Sequence, residues 1–292
     1  MPALAPPPDA TPLAPGEPLY AAPTTLDRIG RVMVPVNVEG QGPFRFIVDT
    51  GATRSALSPQ LVARLGLPTD RSPPVRMQGV TGEAIVPTVR IRRLQAGSLL
   101  LQDQELPVVE PRVFAQADGI LGVEGMAGNR LDIDFVADRV TVSRSRAQRA
   151  EPGFLVVPFY MRRGGLLLVD ARIGRVPGRA IIDTGAERTL GNLELQRRLA
   201  ALPGGDAAAG RPTQVYGATA EVQTGESRLA PVIRIGEASL DNLEITFADL
   251  HVFRYWKLEK MPALMIGMDL LGVVARLIVD YRRAEIHIGY RR

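Results

Sequence analysis

Cysteine is absent from this sequence of 292 residues, which excludes disulfides, thiolate nucleophiles and cysteine-ligated metal sites. Lysine occurs only at Lys257 and Lys260, so the formal charge of +4 comes from arginine. The arginines are scattered, mostly in pairs, and aromatic residues make up only 5% of the chain, so no aromatic side chains are interleaved to stack bases. This pattern argues against a nucleic-acid partner. The excess of arginine is typical of a GC-rich genome, and the absence of cysteine fits a bacterial protein.

Long apolar runs are also missing. No stretch reaches the ~18 apolar residues of a membrane-spanning helix, so we predict no membrane span. Residues 1–27 are rich in proline and alanine and lack the basic start and apolar run of a signal peptide. We predict that they form a flexible leader. Because such a tail often follows a removed export signal, we expect a periplasmic or secreted location.

The folded part is predicted to begin near Arg28 and to be all-β. From there the sequence consists of short segments in which apolar and polar residues alternate, separated by glycine and proline. Alternation with a period of two is typical of β-strands, and helical patterns are few and brief.

An internal repeat organises the chain. Asp49 and Asp183 each follow an apolar run and each precede Thr-Gly-Ala, and the later Ile-Leu-Gly122 corresponds to Met-Ile-Gly267. Each copy ends in a similar pair of strands. We therefore predict a tandem duplication, with one lobe over residues 28–148 and a second over residues 149–292.

The repeated motif has a chemical interpretation. Gly51 and Gly185 allow the chain to reverse immediately after the acid, and the intervening threonines can direct their hydroxyls onto backbone amides across a two-fold interface. In that arrangement Asp49 and Asp183 face each other. Two carboxyl groups about 3 Å apart share one proton, so one can activate a water while the other protonates a carbonyl oxygen. This chemistry requires no metal and no cofactor.

With both motifs present twice, the sequence resembles retropepsin-like and pepsin-like aspartic proteases over roughly Arg28 to Gly289. The resemblance implies a single chain with two tandem retropepsin-like lobes, each a small β-barrel, related by a pseudo-two-fold axis with a cleft between them. It implies that Asp49 and Asp183 are catalytic and that Gly122 and Gly267 lie in segments crossing behind them. The supporting loops would consist of Thr50, Gly51, Ala52, Thr184, Gly185 and Ala186.

The resemblance also implies two glycine-tipped hairpins, or flaps, that close over the substrate. The candidate segments are residues 75–86 and 213–224, with tip residues Gly79, Val80, Thr81, Tyr216, Gly217 and Ala218 as substrate-binding candidates. The second half carries an insertion within residues 247–263, which contains the only tryptophan, Trp256. We expect this insertion to cover a core or a cleft.

Ala52 and Ala186 are a departure from the pepsin-like pattern, which often has a serine or threonine there. Such a hydroxyl can donate a hydrogen bond to the carboxylate and lower its pKa. Without it the pair of aspartates should titrate higher, so we predict a mildly acidic pH optimum.

The sequence thus predicts an aspartic endopeptidase that acts on a peptide or protein substrate and is active as a monomer. Two alternatives remain open: a non-catalytic peptide-binding protein built from degenerate lobes, and lobes that form their sites with a partner chain. Other chemistry finds little support. Glu124, Asp269 and the remaining acids lack calcium-binding spacing, Ser55 and Thr189 lack a neighbouring base, and the two histidines, His251 and His287, are expected to have ordinary packing or surface roles.

Overall fold

A computed structural model describes residues 18–23, 25–26, 31–96, 99–109, 117–162, 165–203, 210–241 and 243–290. Within these ranges the chain forms mostly strands and a few short helices. The strands are β1 Pro18–Pro23, β2 Thr25–Leu26, β3 Val32–Val38, β4 Gln41–Val48, β5 Ala56–Leu57, β6 Val75–Gln78, β7 Glu83–Val86, β8 Thr88–Ala96, β9 Leu99–Pro107, β10 Gly119–Leu121, β11 Asn129–Asp134, β12 Arg139–Arg144, β13 Leu155–Pro158, β14 Tyr160–Arg162, β15 Leu166–Ile173, β16 Val176–Ile182, β17 Leu190–Gly191, β18 Arg211–Tyr216, β19 Val222–Leu229, β20 Ile233–Ile235, β21 Ala238–Leu240, β22 Glu244–Phe247, β23 Ala263–Ile266, β24 Arg276–Asp280 and β25 Glu285–Gly289. The helices are α1 Pro59–Leu65, α2 Leu193–Ala200, α3 His251–Tyr255 and α4 Met268–Leu271.

The first lobe is built on a sheet with strand order β5-β10-β4-β3-β8-β9, in which β2 also pairs with β3. Side chains along β4 alternate between exposed and buried and then become continuously buried from Phe46 to Val48. β10 runs parallel to β4, with Ile120 opposite Ile47, and antiparallel to β5. The crossing segment predicted from Ile-Leu-Gly122 therefore lies beside the strand that ends at Asp49.

The second lobe repeats this arrangement in a larger sheet with the order β18-β19-β22-β17-β23-β16-β15-β20-β21, and β14 pairs with β15. β23 runs parallel to β16 and antiparallel to β17, as β10 does with β4 and β5. The repeat extends to the helix after each motif. Ser58 caps α1 by accepting a hydrogen bond from the amide of Leu61 (3.1 Å), and Asn192 caps α2 in the same way through Leu195 (2.9 Å).

A six-stranded antiparallel sheet joins the lobes, in the order β1-β12-β11-β24-β25-β13. Its centre is the pair β11 and β24, one strand from each lobe, and β12, β25, β1 and β13 follow outward in matched positions. The apolar side chains of this sheet join a buried cluster that draws on both lobes. The all-β prediction of two similar small barrel lobes related by a pseudo-two-fold axis is confirmed.

The predicted flexible leader is wrong for its last part. The backbone of Pro18–Pro23 pairs with β12 and that of Thr25–Leu26 pairs with β3, so residues 18–26 belong to the first lobe. β1 and β2 correspond to β13 and β14, which open the second lobe. Proline is tolerated at the edge of a sheet because an edge strand leaves backbone groups unpaired, and β1 is an edge strand. Residues 1–17, 24 and 27 of the predicted leader lie outside the described residues.

Candidate active site

Asp49 and Asp183 follow directly on the ends of two equivalent strands, β4 and β16. The amide of Asp49 donates to the carbonyl of Leu121 and the amide of Asp183 to that of Ile266, each over 3.0 Å. Both carbonyls belong to the crossing strands β10 and β23. The parallel pairing within each lobe therefore extends one residue further and fixes the backbone of each aspartate.

Thr50 and Thr184 connect the two motifs through four reciprocal hydrogen bonds. The hydroxyl of Thr50 donates to the carbonyl of Ile182 and that of Thr184 donates to the carbonyl of Val48, both over 2.8 Å. Each hydroxyl also accepts from the amide of the other threonine, at 3.0 Å. Neither side chain is more than 1% exposed. This symmetric network brings the two aspartates from opposite lobes to one point.

The two carboxyl groups are close enough for each to affect the pKa of the other. Glycine is required beside them: a Cβ added to Gly51 would lie 2.5 Å from Oδ2 of Asp183, and one added to Gly185 would collide equally with the carboxyl of Asp49. Each loop thus packs its glycine against the carboxyl group of the opposite lobe. The structure thus brings Asp49 and Asp183 together, as the sequence predicts.

Backbone amides of the supporting loops hold each carboxylate in place. Oδ1 of Asp49 accepts from the amides of Gly51 (2.8 Å) and Ala52 (2.9 Å). Oδ1 of Asp183 accepts from the corresponding amides of Gly185 (2.9 Å) and Ala186 (3.2 Å). Ala52 and Ala186 therefore contribute through their amides, although they lack the hydroxyl found in many pepsin-like motifs.

The pKa values of Asp49 and Asp183 are both raised, but different groups act on them. Burial raises the pKa of Asp183 well above its usual range, and the adjacent charge of Asp49 raises it further. Burial also raises the pKa of Asp49, but the amide of Gly51, the hydrogen bond with Asp183, the amide of Ala52 and the positive charge of Arg31 oppose this. The pair therefore holds one proton between its two carboxyl groups, and the positive charge of Arg31 favours the ionised form of Asp49.

Arg31 was missed by the sequence interpretation. Its side chain is only 6% exposed, and it is near enough to Asp49 for its charge to favour the ionised carboxylate. Arg31 precedes β3 and has no counterpart in the repeated motif, so no sequence pattern marks it.

A second missed feature is a pair of clamps between each aspartate loop and its crossing segment. In the first lobe the amide of Ser55 donates to Oε1 of Glu124 (2.6 Å), and Oγ of Ser55 accepts from the amide of Gly122 (3.1 Å). Burial raises the pKa of Glu124, while its hydrogen bonds with Ser55 lower it. This polar pair ties the end of the loop to the segment that leaves β10.

The second lobe contains the equivalent clamp. Thr189 donates to Asp269 from its amide (2.8 Å) and from its hydroxyl (2.7 Å), and the hydroxyl accepts from the amide of Gly267 (3.3 Å). Glu124 and Asp269, which showed no metal-binding spacing, are thus each hydrogen-bonded to a hydroxyl residue of their own lobe. Their repetition at matching positions, two residues after the crossing glycine, is the sequence signal that could have identified them.

Both predicted flap segments form hairpins. β6 and β7 make flap 1 (residues 75–86), where the amide of Gly79 donates to the carbonyl of Gly82 over 2.8 Å. β18 and β19 contain flap 2 (residues 213–224). The tips meet, since the hydroxyls of Thr81 and Thr219 share a hydrogen bond of 3.1 Å.

Each flap tip also packs against side chains of the opposite lobe. Val80 of flap 1 packs against a cluster of second-lobe side chains that Ala186 also contacts. Ala218 of flap 2 packs against a cluster of first-lobe side chains that Ala52 also contacts. Gly217 lies against the Thr81 hydroxyl, where a Cβ would be 2.6 Å away. The flap tips therefore lie over the loops that carry the two aspartates.

Tyr216 differs from the other flap candidates. Its side chain is 60% exposed and its hydroxyl donates to Gln214 on the same strand, so it is not part of the contact between the tips. In the described ranges we find no cluster of three or more metal-binding side chains. No described helix has the length and apolar character needed to cross a bilayer.

Comparison with known proteins agrees with this geometry. A family model described as aspartyl protease matches residues 34–124 and again residues 169–270, so each match contains one of the two aspartates with its crossing segment. A search of curated proteins found no match. Because the two matched regions cover most of the chain and correspond to its two lobes, the chain belongs to the aspartyl protease family.

Proposed function

We propose that the protein is an aspartic endopeptidase that hydrolyses peptide bonds with a water activated between Asp49 and Asp183. The observation that supports this best is the symmetric network of Thr50 and Thr184, which brings the carboxyl groups of Asp49 and Asp183 from opposite lobes to one point. Two acids in this arrangement hold one proton between them, which supplies a base and an acid in the same site.

The positive charge of Arg31 favours Asp49 as the ionised acid, and we assign the two roles accordingly. Ionised Asp49 takes a proton from the water as the water oxygen attacks the peptide carbonyl carbon, and Asp183 gives its proton to the carbonyl oxygen. The tetrahedral intermediate then collapses: the C–N bond breaks, the leaving nitrogen receives a proton from Asp49, and Asp183 recovers its own from the hydroxyl. Both acids return to their starting states, and no cofactor takes part.

The substrate would be a peptide or an exposed protein segment in extended form. An extended chain under flap 1 and flap 2 can form main-chain hydrogen bonds with their strands, and its alternate side chains can enter apolar pockets on either side. The apolar clusters under the two flaps are the natural walls of such pockets. We also propose a periplasmic or secreted location and a mildly acidic pH optimum.

The test compares Asp49→Asn and Asp183→Asn with the wild type on a mixed peptide pool read by mass spectrometry. Each variant should lose cleavage while keeping its circular dichroism. Asp103→Asn is the matched control, because Asp103 is exposed within strand β9 and has φ 50°, a conformation that asparagine adopts readily. Cleavage that persists in both variants would refute the mechanism. A wild-type protein that binds peptides without cutting them would favour the non-catalytic alternative.

A further inference from the structure

Helix α3 of the second lobe is in direct contact with flap 1 of the first lobe. The amide of Val252 donates to the carbonyl of Val80 at the flap tip over 3.2 Å. The Nε2 atom of His251 lies 2.6 Å from Oε1 of Gln78, at the end of strand β6. One short helix therefore contacts both the backbone of the tip and a side chain of the strand that carries it.

The hydrogen bonds of Gln78 fix the direction of the His251 contact. The side-chain amide nitrogen of Gln78 donates to Glu83 on strand β7 over 3.1 Å, so its oxygen is the atom that faces His251. That oxygen can only accept, and His251 must donate from Nε2–H. Glu83 is in turn paired with Arg76 over 2.5 Å, which makes the end of the hairpin next to its tip a connected polar unit.

Helix α3 is firmly anchored in its own lobe. Val252, Phe253, Leu250 and Leu258 are each 5% exposed or less and belong to one apolar cluster. Trp256 packs against the same cluster, as does Val80 from the flap. The insertion therefore forms a rigid support to which the flap tip is docked by side-chain packing as well as by hydrogen bonds.

We propose that α3 is a latch that holds flap 1 closed over the two aspartates, with His251 and Val252 as positioning residues for the flap. The proposal rests on the proposed function only in taking the space beneath the flap as the substrate site. A peptide chain can reach Asp49 and Asp183 only after flap 1 has moved away from α3. The latch thus controls how fast substrate binds and product leaves.

Removing the latch should change rates more than affinity. If the flap closes onto α3 both before and after binding, the latch stabilises the free closed state and the bound closed state equally. Loss of the latch then leaves their difference unchanged and raises only the population of the open state. Loss of one neutral hydrogen bond corresponds to an increase of about 2- to 12-fold in the open population. His251→Ala should therefore raise the association and dissociation rates together by that factor and leave Kd nearly unchanged.

The first measurement is amide hydrogen exchange of the full-length protein without ligand. His251→Ala should accelerate exchange in residues 75–86 by about 2- to 12-fold. His251→Gln, which keeps an N–H donor, should restore part of the protection, and Gln78→Met should reproduce the loss from the flap side. Arg254→Ala is the control, because Arg254 lies on the same helix with an exposed side chain paired to Asp249. It should leave exchange in the flap unchanged.

The second measurement follows binding of a peptide with a non-cleavable hydroxyethylene group at the scissile position, using stopped-flow fluorescence. The latch is refuted if exchange in residues 75–86 is the same in His251→Ala and the wild type. It is equally refuted if exchange rises throughout the second lobe, or if Kd weakens while the association rate does not rise. A wild-type protein that does not bind the peptide, but shows the local exchange effect, would contradict the proposed function and leave the latch intact.

Discussion

At the scale of single residues, the buried charge of Arg31 contributes to the difference between the two aspartates. Asp49 and Asp183 have nearly identical loop amides around them, so the loops alone would make the pair symmetric. The buried positive charge of Arg31 breaks this symmetry by favouring the ionised form of Asp49. The assignment of Asp49 as the base depends on this residue outside the repeat.

Replacing Arg31 should move the acid limb of the pH–rate profile. Without the positive charge the pKa of Asp49 rises, so Asp49 becomes protonated at a higher pH as the solution is acidified. In Arg31→Met the acid limb of kcat/KM should therefore shift upward, on the order of 0.5 pH unit. Arg31→Lys keeps the charge and should stay close to the wild type. An acid limb at the same pH in both variants would mean that Arg31 does not act on Asp49.

The residues of the site were predictable from the sequence where the repeat marks them. The motif of aspartate, glycine and crossing segment occurs twice, at Asp49 and at Asp183. A motif repeated at matching positions indicates that the two copies have the same local structure. Arg31 and His251 occur once and act through contacts between segments distant in the chain. His251 was expected to have only an ordinary role, because no sequence pattern indicates that the second-lobe insertion reaches flap 1.

At the scale of elements, strands β4 and β16 end at the same place although they belong to different lobes. Their ends are joined by the hydroxyls of Thr50 and Thr184, and the groups involved are buried from water. A hydrogen bond lost here cannot be replaced by solvent. The two strands should therefore be strongly coupled through these side chains.

Thr184→Val tests this coupling. The substitution keeps the shape of the side chain but leaves the carbonyl of Val48 and the amide of Thr50 without a partner. Each of these two unsatisfied buried groups costs about 1–3 kcal/mol, so the free energy of unfolding should fall by about 2–6 kcal/mol in urea titrations. Thr184→Ser keeps the hydroxyl and should lose under about 1 kcal/mol. Similar losses in the two variants would show that the hydroxyl is not what stabilises the junction.

Strands were predicted correctly where apolar and polar residues clearly alternate, and were missed where a high proline content suggested a flexible segment. The strands around each motif follow from apolar alternation interrupted by glycine, whereas the two flap hairpins were implied by the resemblance to aspartic proteases. Strand β1 was missed because its two prolines suggested a flexible leader. The matching role of β13 shows that the duplication begins before Arg28, a similarity too short and too proline-rich to detect in the sequence.

At the scale of the whole molecule, the lobes are also tied together through the shared six-stranded sheet. Arg276 on β24 donates two hydrogen bonds to Asp132 on β11, at 2.8 and 2.6 Å. The segment between the lobes is also fixed: Ser145 donates to Asp280 over 2.8 Å, and Arg283 donates to the carbonyl of Ala147 over 2.8 Å. The connection between the two halves is therefore an integral part of the shared sheet. Such a connection favours pairing of the two lobes within one chain over pairing between chains.

A complementation experiment distinguishes these two arrangements. When Asp49→Asn and Asp183→Asn chains are co-expressed with different affinity tags, sites formed within each chain always contain one asparagine. The mixture should then be as inactive as either variant alone. If lobes paired between chains, the intact first lobe of one variant would meet the intact second lobe of the other, and up to roughly a quarter of wild-type activity would return in mixed dimers. Sedimentation of the purified wild type should show a monomer whose specific activity does not change on dilution, and activity that falls with dilution would contradict a site completed within one chain.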